Sequence, residues 1–258
     1  APADSGVVFV RCDLERPARI RAVVANRIEA PRRTTLRSAG ASVEMVEHIM
    51  AALGGLGLDN CEIWVNAAEM PGLDGSSLPF VQALAAAGAM DQNAVRPTLF
   101  VREVTRLGNE ESWVEARPGT TAGLSLKFHL DYGSASAIGR QTLTLPVTPD
   151  SFRRELAPAR TFMLKCEADW LLAQGFGKRA TLQDLLVFDD EGPLENELRF
   201  RDECVRHKAL DLIGDLSLAG CDLVGHIVAY RSGHRLNAEL VRVLLTEGDI
   251  VGGYRRTA

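Results

Sequence analysis

A chain of 258 residues, 46% apolar and 24% charged, has ample material for one or two cored domains and sits in the ordinary range for soluble globular proteins. A net charge of −5 with no basic run argues against nucleic acid as a partner and allows at most transient contact with an anionic membrane surface. No apolar run approaches the roughly 18 residues of a membrane span and no signal peptide is visible; the five scattered cysteines, with no CxxC pair, fit reduced thiols in a cytoplasmic protein better than a disulfide framework or a thiolate zinc site.

In chain order, Val7–Arg11 reads as a strand, residues 19–24 as another and 31–35 as a loop or edge. Residues 42–53 are predicted as a helix capped by Ser42 and stopped at Gly54-Gly55. Cys61–Val65 alternates like a strand, Pro71-Gly72 and Asp74-Gly75 mark turns, and 79–87 is a helix with proline in its first turn. Residues 89–97 make the natural linker. Beyond it, strands are predicted at 98–104, 112–116, 122–130 and 140–145, then a short helix at Pro149, a helix over 167–174, a turn at 175–177 and an apolar run at 182–188. A helix over 205–215, a strand at 224–230 and a last helix over 236–245 complete the list.

The helix at 205–215 places His207 and Asp211 four residues apart, and Asp215 four further on, so all three project from one face. Taken alone, such a face is more often an exposed pair than a metal site. Glu47-His48, however, sets a carboxylate beside an imidazole in an apolar context (Val46, Ile49, Met50). His48, His207 and Asp211 together make three N/O ligands and leave one tetrahedral position open, which is what hydrolytic zinc requires. An ion held in this way lowers the pKa of the water it binds from about 15.7 toward about 7. Glu47 is then the candidate general base. His234, at a strand-to-helix junction, either caps its helix or, held by Asp215, serves as an imidazolium that stabilises an oxyanion or protonates a leaving amine. His129 and His226 have no partner pattern and read as structural.

A weak internal echo ties the two halves together. His48 and His207 lie 159 residues apart, each on a helix that ends near glycine and precedes a strand; Gly75 and Gly233, 158 apart, each open a closing helix. The expected fold is therefore α+β, a duplicated two-domain arrangement (residues 1–93 and 97–258) in which the two histidines meet between layers.

Five stretches carry a family resemblance: Val46-Glu-His-Ile-Met-Ala-Ala-Leu-Gly-Gly-Leu-Gly-Leu-Asp-Asn60, Leu73-Asp-Gly-Ser-Ser-Leu-Pro-Phe80, Arg160-Thr-Phe162, residues 198–215 and Ser232-Gly-His-Arg-Leu-Asn237. In this order they closely resemble the zinc-dependent UDP-3-O-acyl-N-acetylglucosamine deacetylases of lipid A biosynthesis, over nearly the whole chain. The resemblance implies that His48, His207 and Asp211 bind Zn²⁺, that Glu47 is the base and that His234, oriented by Asp215, is its electrostatic or acid partner. It further implies that Thr161 holds the developing oxyanion, Phe162 lines the sugar and acyl region, and Lys208 contacts substrate. It implies a cytoplasmic monomer with a sheet layered on two helices in each domain, and a βαβ insert at about 163–188 that walls an acyl-chain passage. The apolar residues of that insert could equally be ordinary core. Three departures stand out. The family usually has about thirty residues before the equivalent of Gly6, which suggests a trimmed chain. Arg179, Ala180 and Asp184 replace two glycines and an asparagine, which puts the shape of the passage in doubt. Glu167 stands where aspartate is common. A non-catalytic binder of a nucleotide sugar, or a zinc hydrolase with a shifted substrate, are the rival readings.

Overall fold

The computed structural model describes residues 1–119, 122–175, 181–182 and 184–252. The first half contains β1 (Val7–Arg11), β2 (Ala18–Arg21), β3 (Arg27–Ile28), β4 (Thr35–Ser38), β5 (Ala41–Glu44), α1 (Glu47–Leu56), β6 (Cys61–Val65) and α2 (Leu78–Ala87). The second contains β7 (Thr98–Phe100), β8 (Thr105–Gly108), β9 (Trp113–Arg117), β10 (Leu124–Asp131), β11 (Arg140–Val147) and the short α3 (Pro149–Ser151). After these come β12 (Phe162–Leu164), α4 (Lys165–Ala173), β13 (Leu186–Phe188), α5 (Glu203–Leu216), β14 (Asp222–Tyr230), α6 (His234–Glu247) and β15 (Asp249–Val251).

The same wiring occurs twice. In the first half β1 pairs antiparallel with β2 and parallel with β6, in the order β2-β1-β6. In the second, β10 pairs antiparallel with β11 and parallel with β14, in the order β11-β10-β14, extended by β7 and β15 and by the β8–β9 hairpin along β14. Each pattern is a hairpin, a helix (α1 or α5), a parallel strand returning beside the first, and a closing helix (α2 or α6). The units differ in what interrupts them. The first carries the β3-β4-β5 sheet ahead of α1; the second carries the parallel pair β12-β13, joined through α4, ahead of α5. Among the described strands, every pairing stays within its own half. Residues 89–97 carry no helix or strand, and within them Arg96 bridges Asp59 of one half and Asp222 of the other, each at 2.7 Å.

The core lies where α1 and α5 pack together. Both are buried around most of their circumference, as expected of helices held between sheets rather than on a surface. Their approach is limited by Gly214: a Cβ there would lie 2.3 Å from the carbonyl oxygen of Glu47. Strand β10 alternates as a sheet with one covered face should, burying Leu126, Phe128 and Leu130 and leaving Ser125, Lys127 and His129 partly exposed.

Two expectations around α1 are corrected. Ser42 caps no helix; it lies in β5, paired with Arg37 of β4. The helix starts at Glu47, after Met45 has taken φ 57° and turned the chain out of the strand. Nor do Gly54 and Gly55 stop it. Both lie inside the helix, where a Cβ would collide with Ser217 Oγ (1.9 Å) and the Phe152 ring (2.3 Å), so these glycines serve close approach. The stop is Gly57, left-handed at φ 72°, whose N–H bonds back to Gly54 while Leu58 bonds back to Leu53. Strands β8 and β15 escape sequence reading because neither has a clear apolar alternation. A methyl group at the tightest point of the crossing tests this packing: Gly214→Ala is expected to lose about 1–3 kcal/mol of stability, read by urea denaturation.

Candidate metal centre

Helix α5 carries His207 and Asp211 on one face, and α1 presents His48 from its first turn. Where the helices meet, Asp211 Oδ1 lies 3.4 Å from His207 Nε2 and 3.8 Å from His48 Nε2, and one ligand atom from each of the three residues falls within 4.8 Å of the others. The imidazole rings stand edge to face, 5.0 Å between centroids. These separations are too long for hydrogen bonds. They suit three donors around a common ion.

The hydrogen bonds of the cluster point the same way. His207 Nδ1 lies 3.1 Å from the carbonyl oxygen of Ala159, so Nδ1 carries the donated proton and Nε2 is left as a lone pair. Asp211 Oδ2 accepts from Lys208 Nζ at 2.6 Å. Asp211 Oδ1 is buried with no hydrogen-bond partner among the described residues. An orphaned buried acceptor costs about 1–3 kcal/mol, more when charged, and a cation removes that cost. Burial, together with the repulsion two adjacent imidazoliums would suffer, pushes His48 down to about 3, and burial likewise lowers His207. Both therefore stay neutral, the form that ligates metals. Burial would raise the Asp211 carboxyl, but the charge of Lys208 leads the effects that outweigh it and hold it below the usual carboxylate range. Two imidazole nitrogens and one carboxylate oxygen form a donor set that fits a divalent metal.

Beside this cluster lies a second. Asp215, fully buried one turn beyond Asp211, accepts from Thr34 Oγ1 (2.6 Å), His234 Nδ1 (2.8 Å) and Asn237 Nδ2 (2.8 Å). The turn that delivers His234 runs through Arg231 at φ 50° and Gly233, and His234 becomes the first residue of α6. It caps nothing, because Nδ1 is spent on Asp215. A cation at a helix N-terminus faces an unfavourable dipole. Burial also disfavours the imidazolium, yet the charge and hydrogen bond of Asp215 outweigh it and lift His234 to about 9. Glu47 moves the other way from an ordinary carboxylate: burial raises it to about 7, moderated by His234 and reinforced by Asp211. Its Oε2 accepts from the Thr34 N–H at 3.0 Å.

A family model described as UDP-3-O-acyl N-acetylglycosamine deacetylase, LpxC, matches residues 1–246. The chain belongs to the LpxC family. Relatives named UDP-3-O-acyl-N-acetylglucosamine deacetylase include those of Syntrophus aciditrophicus (36% identical over 250 residues, 96% of this chain and 78% of the relative) and Geotalea uraniireducens (37% over 250, 96% and 80%). That of Brucella ovis is 38% identical over 249 residues, 96% of this chain and 86% of its own.

Of the other residues singled out in this LpxC-family sequence, Phe162 and Lys208 touch the cluster. Phe162, at the start of β12, sets its ring edge-on to His207 at 6.4 Å and also meets Tyr132 and Phe188. Thr161 is fixed through its backbone, donating to Gly75 and accepting from Leu186. Lys208 keeps its stem partly exposed while its Nζ bonds Asp211. β12, α4 and β13 form a parallel βαβ unit; within it and the segment leading to β13, Leu186 is buried and Met163, Leu164, Leu171 and Leu185 are partly so. Trp170 (59% exposed) and Leu172 (53%) are exposed, so the ordinary-core alternative fails for those two. Among the departures, Arg179 and Ala180 lie outside the described residues; Asp184 accepts from Thr181; and Glu167 bonds the Leu164 N–H at the start of α4 and reaches Arg32. His129 and His226 lie on the second-half sheet, bonded to Thr142 and Ser125.

Sequence reading missed Thr34, Asn237 and the part played by Glu203. Glu203 looks like a helix N-terminal acid complementing the dipole. In the fold it is fully buried and accepts from the Arg160 backbone and guanidinium and from the Arg199 N–H, while Arg160 also reaches Asn196 and the Glu197 carbonyl. This clasp anchors the chain immediately before Thr161 and Phe162. Breaking it by Glu203→Ala strands a buried guanidinium and is expected to cost about 3–5 kcal/mol, read by denaturant unfolding. A second outcome follows from His234. A group raised from 6.5 to about 9 contributes stability that is fully present below 6.5 and is lost as pH rises through 9. Metal-free protein is therefore expected to lose stability between those values, and His234→Gln to flatten that window in urea midpoints measured against pH.

Proposed function

We propose that this chain is a Zn²⁺-dependent amidohydrolase that removes acetate from UDP-3-O-acyl-N-acetylglucosamine, the committed step of lipid A biosynthesis. The observation that carries the reading is the orphaned Oδ1 of Asp211, buried between two neutral imidazoles, with Glu47 and a charged His234 beside it. His48, His207 and Asp211 would hold the ion. When bound, Zn²⁺ supplies a Lewis acid that eases deprotonation of water and polarises the acetamide carbonyl.

The remaining chemistry belongs to side chains. Thr34 occupies Oε2 of Glu47, which leaves Oε1 to take the proton from the attacking water. A carboxylate raised to about 7 is matched to that task near neutrality. Because Asp215 engages Nδ1 of His234, its Nε2–H is the donor left for the charge that develops on the carbonyl oxygen, and the Thr161 hydroxyl is proposed to assist. Water adds to the carbonyl carbon, the C–N bond then breaks, and a proton from Glu47 or His234 goes to the departing amine, so that acetate and the free amine are released. Phe162 would line the sugar and acyl region, Lys208 would meet substrate, and the insert at about 163–188 would wall the acyl passage.

Residues 1–93 and 97–258 are proposed as the two duplicated domains, closing on this centre from either side. Five free cysteines support a reducing, cytoplasmic setting. No helix among the described residues is long and apolar enough to cross a membrane. The protein is proposed to act as a monomer with at most transient membrane-surface contact.

Acetate release from the UDP-sugar, measured with and without chelator, tests the reading. Activity should vanish on chelation and return with Zn²⁺. Glu47→Gln should lower kcat by about 10²–10⁴-fold with metal content unchanged. Full activity in that variant, or no acetate from zinc-loaded wild type, would overturn the proposal.

A further inference from the structure

Among the described residues, Thr34 is the one that bonds both proposed halves of the proton machinery. It is 1% exposed and lies just ahead of β4. Its N–H donates to Glu47 Oε2 at 3.0 Å, and its hydroxyl donates to Asp215 Oδ1 at 2.6 Å, across 181 residues of sequence and from the first half of the chain to the second. Both acceptors are carboxylates, so both bonds are of the charge-assisted kind. Thr35 next door provides a contrast. It is also buried, yet its hydroxyl has no hydrogen-bond partner among the described residues. A hydroxyl in this strand is thus not drawn into a bond merely by being buried.

We propose that Thr34 is a positioning residue that locks Glu47 and the Asp215–His234 pair into one rigid unit, an inference that rests on the deacetylase reading for the roles of those groups. A carboxylate with one free oxygen can rotate about its terminal torsion, because that torsion is broad. Thr34 removes the freedom twice. It occupies Oε2 of Glu47, and it occupies Oδ1 of Asp215 so that Oδ2 is the oxygen presented to His234 and Asn237. The spacing between the base and the imidazolium is then set by a single peptide unit and a single hydroxyl. No group that binds the metal or substrate is touched, so the effect belongs in kcat rather than KM.

The test uses zinc-loaded full-length protein carrying Thr34→Val, Thr34→Ser, Thr35→Val, His234→Gln and the Thr34→Val/His234→Gln double change. Thr34→Val is expected to lower kcat about 10–100-fold, with KM within about twofold and metal content unchanged. Thr34→Ser should restore kcat to within about threefold, and Thr35→Val should match wild type. The double variant should be no slower than His234→Gln alone, because Thr34 acts through a group already lost. If valine does not fold at position 34, Thr34→Ala carries the same comparison. A second readout does not depend on turnover. In metal-free protein the low-field proton resonance of His234 Nδ1–H, hydrogen-bonded to Asp215, should shift in Thr34→Val, return in Thr34→Ser and stay in place in Thr35→Val. Independent, additive losses in the double variant, or an unmoved resonance in Thr34→Val, would overturn the role of Thr34. Should wild type release no acetate, the deacetylase reading fails, and the resonance alone decides whether Thr34 orients the pair.

Discussion

At Gly214 the backbones of α1 and α5 come so close that a single methyl group would strike the carbonyl oxygen of Glu47. Everything at the centre follows from that contact. With a larger residue there the helices would stand further apart, and His48 would be carried away from His207 and Asp211. Helix axes separated by ordinary side chains lie about 8–10 Å apart, and small residues are what permit closer approach. Gly54 against Ser217 and Gly55 against Phe152 extend the tight seam along the rest of α1. Gly54 and Gly55, which sequence reading takes for a helix stop, thus serve close packing, while Gly214 is what lets two distant imidazoles share one carboxylate.

The electrostatics of the centre divide cleanly. Burial acts alike on every titratable group there, disfavouring charge, and what differs is the partner each group finds. His48 and His207 have no carboxylate in hydrogen-bond contact and stay neutral; His234 has Asp215 at 2.8 Å and becomes a cation. Asp211 is held ionised by Lys208 on one oxygen, while its other oxygen has no donor among the described residues. Glu47, raised by burial with the Asp211 charge nearby and held at Oε2 by the Thr34 N–H, is the carboxylate left poised near neutrality. Neutral imidazoles, a carboxylate poised near neutrality and a fixed cation are thus distributed over a few residues by the geometry of their hydrogen bonds.

Much of this was legible in the chain. The i,i+4 spacing of His207, Asp211 and Asp215 follows from helical periodicity, and Glu47-His48 announces itself as charge within an apolar run. The matched offsets of His48 with His207 and of Gly75 with Gly233 anticipate the repeated order β2-β1-β6 and β11-β10-β14. The start of α1 was misread because residues 42–44 alternate in a way that a strand and a helix entry share, and the backbone reversal at Met45 leaves no mark in composition. Thr34 and Asn237 carried no signal, since a threonine in a polar loop and an asparagine early in a helix are commonplace.

What the amino-acid sequence determined by itself was local: which segments coil or extend, which side chains share a face, and which ionisable residues lie among apolar neighbours. Periodicity and propensity act over a few residues and need no partner. The tertiary structure alone decided which oxygen of Asp211 is left without a donor, that Asp215 gathers Thr34, His234 and Asn237, and that Glu203 turns inward to clasp Arg160. Those are properties of pairs far apart in the chain, and hydrogen-bond direction and burial exist only once the helices have docked.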